Sequence, residues 1–315
     1  MQDAPQTGST ARDDTRRGFA AAIGAYLIWG LVVPLYFKAL GQFPTLEIVA
    51  HRIVWAVPFA AGLLWWRGLL RGMRAFLKPR YLGLAALTAS IITVNWGTYV
   101  YAVAHDQMVE AALGYYINPL VSILLGAIFL GERPTRVQLF AIGLASIGVG
   151  IMTVAAGGLP IISLILALTF GTYGLLRKMI PIGAAEGFLL EVMILFLPAF
   201  AIILWLTVRG EGHFLSSPSA TALLIGSGPL TAIPLILYAA GARMLNLSTI
   251  GILQYMVPTL LVLTAVFLFG EPFGLGRLVA FGFIWSALVL YTWSLVADGR
   301  RQNRERREAS IKASL

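Results

Sequence analysis

The chain has 315 residues, 58% of them hydrophobic and 12% charged, against about 45–50% and about 25% in an ordinary soluble domain. With a mean hydropathy of +0.82, a soluble enzyme, a disordered chain and a nucleic-acid-binding domain are poor fits, and a polytopic helical membrane protein remains. The net charge of +9 then speaks of topology, because Lys and Arg collect on the cytoplasmic side, and the absence of cysteine removes disulfides, Cys-metal sites and thiol catalysis.

In chain order, residues 1–17 form a polar tail. Ten apolar segments follow, each near the ~20 residues that a membrane helix needs. They are expected at 18–38, 46–66, 81–103, 108–130, 137–156, 160–177, 187–207, 220–242, 248–269 and 277–297. The first is too long for a signal-peptide core and lacks a clear small-residue cleavage site, so it is expected to stay as a permanent helix. Gly, Pro and charge punctuate the chain, as in Lys78-Pro79-Arg80, Gly131-Glu132-Arg133-Pro134 and Gly270-Glu271-Pro272. The tail at 298–315 is polar and arginine-rich, which suits anionic lipid. With the N-terminus in the cytoplasm, nineteen Lys and Arg fall on cytoplasmic segments. Three fall outside (Lys38, Arg209 and Arg277), and Arg52 lies within a span. Both termini are therefore expected in the cytoplasm.

An offset of 139 residues carries Pro119 and Gly131-Glu132 onto Pro258 and Gly270-Glu271, Glu47 onto Glu186, Arg52 onto Glu191 and Gly143 onto Gly282. At a slightly different offset, Tyr26-x-x-Trp29-Gly30 is similar to Phe170-x-x-Tyr173-Gly174. The expected fold is therefore all-α and integral to the membrane, with ten transmembrane helices as two inverted five-helix repeats, 18–156 and 157–297. Such repeats are a transporter signature, with the solute site near the midplane between the halves.

Enzyme chemistry is poorly represented. There is no phosphate-binding Gly-x-x-x-x-Gly-Lys-Ser/Thr motif and no His-Glu-x-x-His; His51, His105 and His213 are far apart, and every Asp lies in a tail or loop. The expectation is no enzyme, no cofactor and no metal, with transport driven by a gradient or by solute flow.

Ionisable residues inside a bilayer are costly and are functional candidates. Arg52 sits about six residues, roughly 9 Å, into the second helix. It either snorkels to the headgroups or faces a cavity and attracts an anionic group. His51 and Glu191 are assigned to proton coupling or gating, against packing for His51 and an interfacial acid near Arg177 and Lys178 for Glu191. Pro119 and Pro258 lie mid-helix, where a lost backbone bond supplies a bend for gating. The Gly131-Glu132 pair is read as structural, closing a helix. At midplane depth a polar and aromatic set is expected to line a central cavity: Tyr26, Trp29, Asn95, Tyr99, Tyr115, Asn118, Tyr173, Gln254 and Tyr255, with Arg52 for an anionic group. For the amides the competing reading is interhelical hydrogen bonding.

Several of these motifs resemble the RarD-type branch of the EamA family, in the drug/metabolite transporter superfamily. They are Trp29-Gly30 followed by Tyr36-Phe37-Lys38, His51-Arg52, the run Leu113-Gly114-Tyr115-Tyr116-Ile117-Asn118-Pro119-Leu120, Tyr173-Gly174-Leu175-Leu176-Arg177-Lys178, and Leu247-Ser248-Thr249-Ile250-Gly251 with Gln254-Tyr255. The resemblance runs from about Arg17 to about Val296 and implies an inner-membrane permease, without supplying a substrate. The expected function is secondary transport of a small organic metabolite or drug-like solute across the bacterial inner membrane by alternating access. Its partners are the solute, membrane lipid and either a proton or a counter-solute, and not nucleic acid. The alternatives are a non-transporting membrane sensor or scaffold and an intramembrane enzyme.

Overall fold

A computed structural model describes residues 7–105, 107–155, 157, 161–263, 267 and 275–314, and no strand occurs among them. Helix α1 (Thr7–Leu27) continues through a π-helical turn (Ile28–Val32) into α2 (Val33–Leu40). Then come α3 (Thr45–Trp66), a 3₁₀ turn (Leu70–Phe76), α4 (Pro79–Ala104), α5 (Met108–Leu130), α6 (Arg136–Ala155) and α7 (Ile161–Met179). The chain continues through α8 (Ala184–Val208), α9 (Pro218–Met244), α10 (Leu247–Gln254), α11 (Met256–Leu263) and α12 (Leu275–Ser314).

Local chemistry sets the helix ends. Pro79 and Pro218 occupy first turns, where a missing N–H costs nothing, and Ser217 caps α9 by accepting from Ala220 N at 3.1 Å. Gly131 ends α5 in the left-handed region at φ 64°. The chain then turns so that Glu132 accepts from Leu247 N (2.6 Å), Ser248 N (2.9 Å) and Ser248 Oγ (2.6 Å). Glu132 thus caps α10 from a distant part of the sequence, which is more than the helix closure expected of it. The equivalent Gly270-Glu271-Pro272 lies outside the described residues.

Among the described residues eight helices are long and apolar enough to cross a membrane, from Asp13–Leu40 to Leu278–Ala297. Two expected segments fall outside that set. The segment at 81–103 lies in α4, which is long enough at 26 residues but carries Thr88, Ser90, Thr93, Asn95 and Thr98. The segment at 248–269 is broken at Tyr255 between α10 and α11, and its residues 264–266 and 268–269 lie outside the described residues. Pro258 has no N–H to offer the carbonyl four residues back, and the Tyr255 N–H turns to Ile252 O at 3.1 Å. Pro119 behaves differently: α5 runs through it without interruption.

The helices pack as α3 against α8 and α9, α1 against α9, α5 against α7, and α6 against α12. Small residues permit the close approaches. Gly228 of α9 abuts the backbone of Trp55 in α3, and Gly251 of α10 faces Pro119 O of α5, where a Cβ would lie 2.7 Å away.

Candidate functional site

Seven helical segments surround a cavity of about 290 Å³. The rod from α1 to α2 contributes Trp29, Val33, Pro34 and Phe37; α3 contributes Arg52; α4 contributes Asn95, Trp96 and Tyr99; α5 contributes Tyr115 and Asn118. Phe170 of α7, Leu235 of α9, and Gln254, Val257 and Pro258 at the α10–α11 break complete the wall. The break is what brings Gln254 and Pro258 to the cavity together.

Arg52 is the charged centre of the site. It is half-buried, with its guanidinium carbon 5.2 Å from the centre of the Phe37 ring and 5.3 Å from that of Trp96. Its Nε donates to Thr231 Oγ1 at 2.8 Å, and that hydroxyl donates to Ser227 O at 2.8 Å. Two rings and one relayed hydrogen bond therefore fix the plane of the guanidinium, each ring contact contributing about 0.5–2 kcal/mol. Among the described residues no carboxylate lies within ion-pair distance of it. Arg52 belongs to the cavity wall.

The amides divide into two kinds. Asn95 Nδ2 donates to Leu166 O (3.0 Å) and Thr169 Oγ1 (2.9 Å), so it joins α4 to α7 while bordering the cavity. Asn118 Oδ1 and Gln254 Oε1 are buried acceptors with no hydrogen-bond partner. Unpaired acceptors in a protein interior are rare and call for a donor from water or a ligand.

Tyr26, Tyr173 and Tyr255 do not line the cavity. Tyr26 is fully buried one turn below Trp29 and donates to Ile250 O at 2.9 Å. Tyr173 donates to Glu191 Oε2 at 3.0 Å. With Tyr238 they form an aromatic layer behind Trp29 and Phe170, whose rings lie 5.8 Å apart. Tyr255 follows Gln254 by one residue, about 100° round the helix, and packs into the core that α12 shares with α5 and α6. Pro119 is buried against α10 rather than exposed to the cavity.

His51 and Glu191 also lie apart from it. His51 Nδ1 accepts from Trp55 Nε1 at 3.1 Å and its ring sits 4.9 Å from that of Phe214. Glu47, one turn earlier, accepts from His213 N (2.6 Å) and lies 2.9 Å from His213 Nδ1, tying the start of α3 to the loop before α9. Glu191 is paired with Arg177 at 3.5 Å.

Sequence reasoning missed Phe37, Trp96, Thr231, Tyr238 and the capping role of Glu132. Tyr238 carried a signal as the equivalent of Tyr99 at the 139-residue offset, and Phe37 and Glu132 stood in motifs that did not disclose these roles. A ring in a membrane helix reads equally as belt, core or cavity until its neighbours are known.

What the arrangement can do is hold a solute. It offers one oriented cation, two amides whose buried carbonyl oxygens are unpaired, and aromatic walls. Among the described residues no group of three His, Cys, Asp or Glu is placed to hold a metal.

Residues 16–154 match the model of the EamA-like transporter family. The chain is 42% identical over 313 residues to Protein RarD of Streptomyces exfoliatus, covering 97% of each. It is 43% identical over 303 residues to an uncharacterized transporter of Pseudomonas aeruginosa, covering 92% of this chain and 98% of the other. Protein RarD of Escherichia coli is 41% identical over 293 residues, covering 92% and 98%. A solved crystal structure with 18% identity aligns with a TM-score of 0.67 over 90% of this chain and 97% of that one, which speaks to the fold alone. With a multi-pass apolar helical fold and near-full-length relatives named as transporters, the chain belongs to the EamA family, alongside RarD proteins, within the drug/metabolite transporter superfamily.

Proposed function

We propose that this membrane transporter is a secondary carrier for a small organic solute bearing a carboxylate or similar anionic group. It works in the bacterial inner membrane by alternating access. The observation that carries this reading is Arg52, oriented by Phe37, Trp96 and Thr231 and facing a cavity without an acidic partner among the described residues. A cation held in a cavity between membrane helices without a counter-ion is expensive. An anionic solute supplies that counter-ion, and a guanidinium offers it two parallel charge-assisted hydrogen bonds. Asn118 Oδ1 and Gln254 Oε1 would receive donors from the rest of the solute. Aromatic walls suit an apolar or planar body, and a volume of about 290 Å³ suits a small metabolite.

The same reading includes ten membrane-crossing segments in two inverted halves, 18–156 and 157–297. It places both termini in the cytoplasm and energises transport by a proton or counter-solute. The offset of 139 residues and the nineteen-to-three bias of basic residues support it.

Thermal stability of the purified protein across a panel of small carboxylates and their neutral analogues tests the solute class. A ligand at a hundred times its dissociation constant adds about 2.7 kcal/mol. A carboxylate should stabilise the wild type and leave Arg52→Gln unchanged. Equal stabilisation of both proteins, or preference for the neutral analogue, contradicts the proposal.

A further inference from the structure

Behind the aromatic layer, near the C-terminal end of α7, lies a second ionic cluster that takes no part in the cavity. Glu191 Oε1 lies 3.5 Å from Arg177 Nη1, and both side chains are almost completely buried. Tyr173 donates to the other carboxylate oxygen at 3.0 Å, and Thr88 of α4 faces the same group. Arg177 also donates to the carbonyls of Gly183 (3.3 Å) and Ala184 (2.6 Å) at the start of α8. Gly187 leaves the room this needs, since a Cβ there would collide with the guanidinium, and Gly174 does the same for the Tyr238 hydroxyl.

The membership of this cluster follows a pattern. The 139-residue offset carries Arg52 and Tyr99 onto Glu191 and Tyr238, and the 144-residue offset of the Trp29 motif carries Trp29 and Val33 onto Tyr173 and Arg177. The first member of each pair lines the open cavity, and the second belongs to the dry cluster. One site is open and its sequence counterpart is collapsed.

We propose that Glu191 is a proton-binding site that controls opening at the Arg177 end: ionised, it holds that end shut through Arg177 and Tyr173, and protonated, it lets the cluster part. This rests on the alternating-access reading above. The ion pair is only marginally satisfied, because Glu191 Oε1 and Arg177 Nε have no hydrogen-bond partner. Separating the pair would strand a carboxylate within the membrane, at a cost of several kcal/mol. Uptake of one proton from the aqueous phase at the Arg177 end converts the carboxylate to a neutral acid and removes that cost. Arg177 keeps the two carbonyls of the α8 start. On closure the proton returns to the same aqueous phase and the pair re-forms. The groups facing Glu191 are Arg177 and Tyr173 from α7, Thr88 from α4 and, next to Tyr173, Tyr238 from α9. Arg243 stands beyond Arg177, with Glu186 beside it.

The chain contains no cysteine, so introduced pairs carry spin labels at chosen positions only. One pair, Arg80→Cys with Met179→Cys, uses exposed positions at the start of α4, the helix that carries Thr88, and at the end of α7, the helix that carries Arg177. A control pair, Ala39→Cys with Ala112→Cys, reports the opposite end. In nanodiscs the first distance should lengthen as pH falls, with the ratio of conformers changing by up to about tenfold per pH unit, as one proton requires. Glu191→Gln should show the long distance at every pH while the protein remains folded. If Glu191→Gln titrates as wild type does, the proton site is wrong and alternating access stands. If neither pair moves at any pH or in any variant, the alternating-access reading itself fails. Arg177→Lys should keep pH dependence with a shifted midpoint, and a pH-independent closed state in that variant would also overturn the proposal.

Discussion

Removing the carboxylate of Glu132 should destabilise the bundle far more than a loop position ordinarily would. In the structure it receives both leading N–H groups of α10 and the Ser248 hydroxyl, at 2.6–2.9 Å. Leu247 and Ser248 are buried, so water does not replace the lost acceptor. Glu132→Ala forfeits a helix cap worth about 0.5–2 kcal/mol and a charge at the positive end of the helix dipole worth up to about 2 kcal/mol. It also leaves buried donors unpaired at about 1–3 kcal/mol each. Allowing for overlap between these, the expected loss is about 3–5 kcal/mol, and Glu132→Gln, which keeps one acceptor, should lose about half of that. Thermal unfolding in detergent reads the difference as a fall of about 5–10 °C for the alanine variant. Because α10 carries Ile250, which anchors Tyr26, and Gln254, which lines the cavity, solute-induced stabilisation should fall as well. An alanine variant that melts with the wild type would refute the capping account.

Two further outcomes follow from the geometry. Asn118→Ala should fold normally and bind solute more weakly, because its carbonyl makes no bond within the protein, whereas Trp29→Ala should also lose about 3–5 kcal/mol of stability, because its ring packs on Tyr26, Phe170 and Tyr238; paired melting and ligand-shift measurements separate the two, and a stable Trp29→Ala would contradict the packing. A reporter active only in the cytoplasm should be active when fused to the C-terminus and silent at the Glu211 loop, and the reverse pattern would overturn the orientation drawn from the basic residues.

Several residues of the candidate cavity were legible because charge and amides in apolar segments are conspicuous. Arg52, Asn118 and Gln254 stand out in apolar helices, and their depth follows from counting turns. Direction was not legible for the tyrosines. Tyr26 and Tyr99 look alike in a single helix, yet one donates to Ile250 O in a closed core and the other borders the cavity. That difference belongs to the partner helices. The prolines teach the same lesson: Pro119 and Pro258 share a sequence context and an offset, but α5 is continuous while the other helix breaks at Tyr255. The partners of Arg52 were invisible for a further reason. Thr231 is 179 residues away, and no local pattern marks a threonine that will orient a guanidinium. Glu132 was conspicuous, but its three donors lie more than a hundred residues on.

Solute flux tests the central claim most directly. Purified protein in proteoliposomes, without any soluble partner, should move a small carboxylate-bearing solute selected by ligand-induced stabilisation, and should exchange it against the same solute inside. Arg52→Gln should insert and remain folded yet lose flux by about a hundredfold, the equivalent of about 3 kcal/mol, which is what two charge-assisted hydrogen bonds to a carboxylate are worth. Flux of that solute through Arg52→Gln at the wild-type rate, or its absence from the wild type itself, would contradict the account.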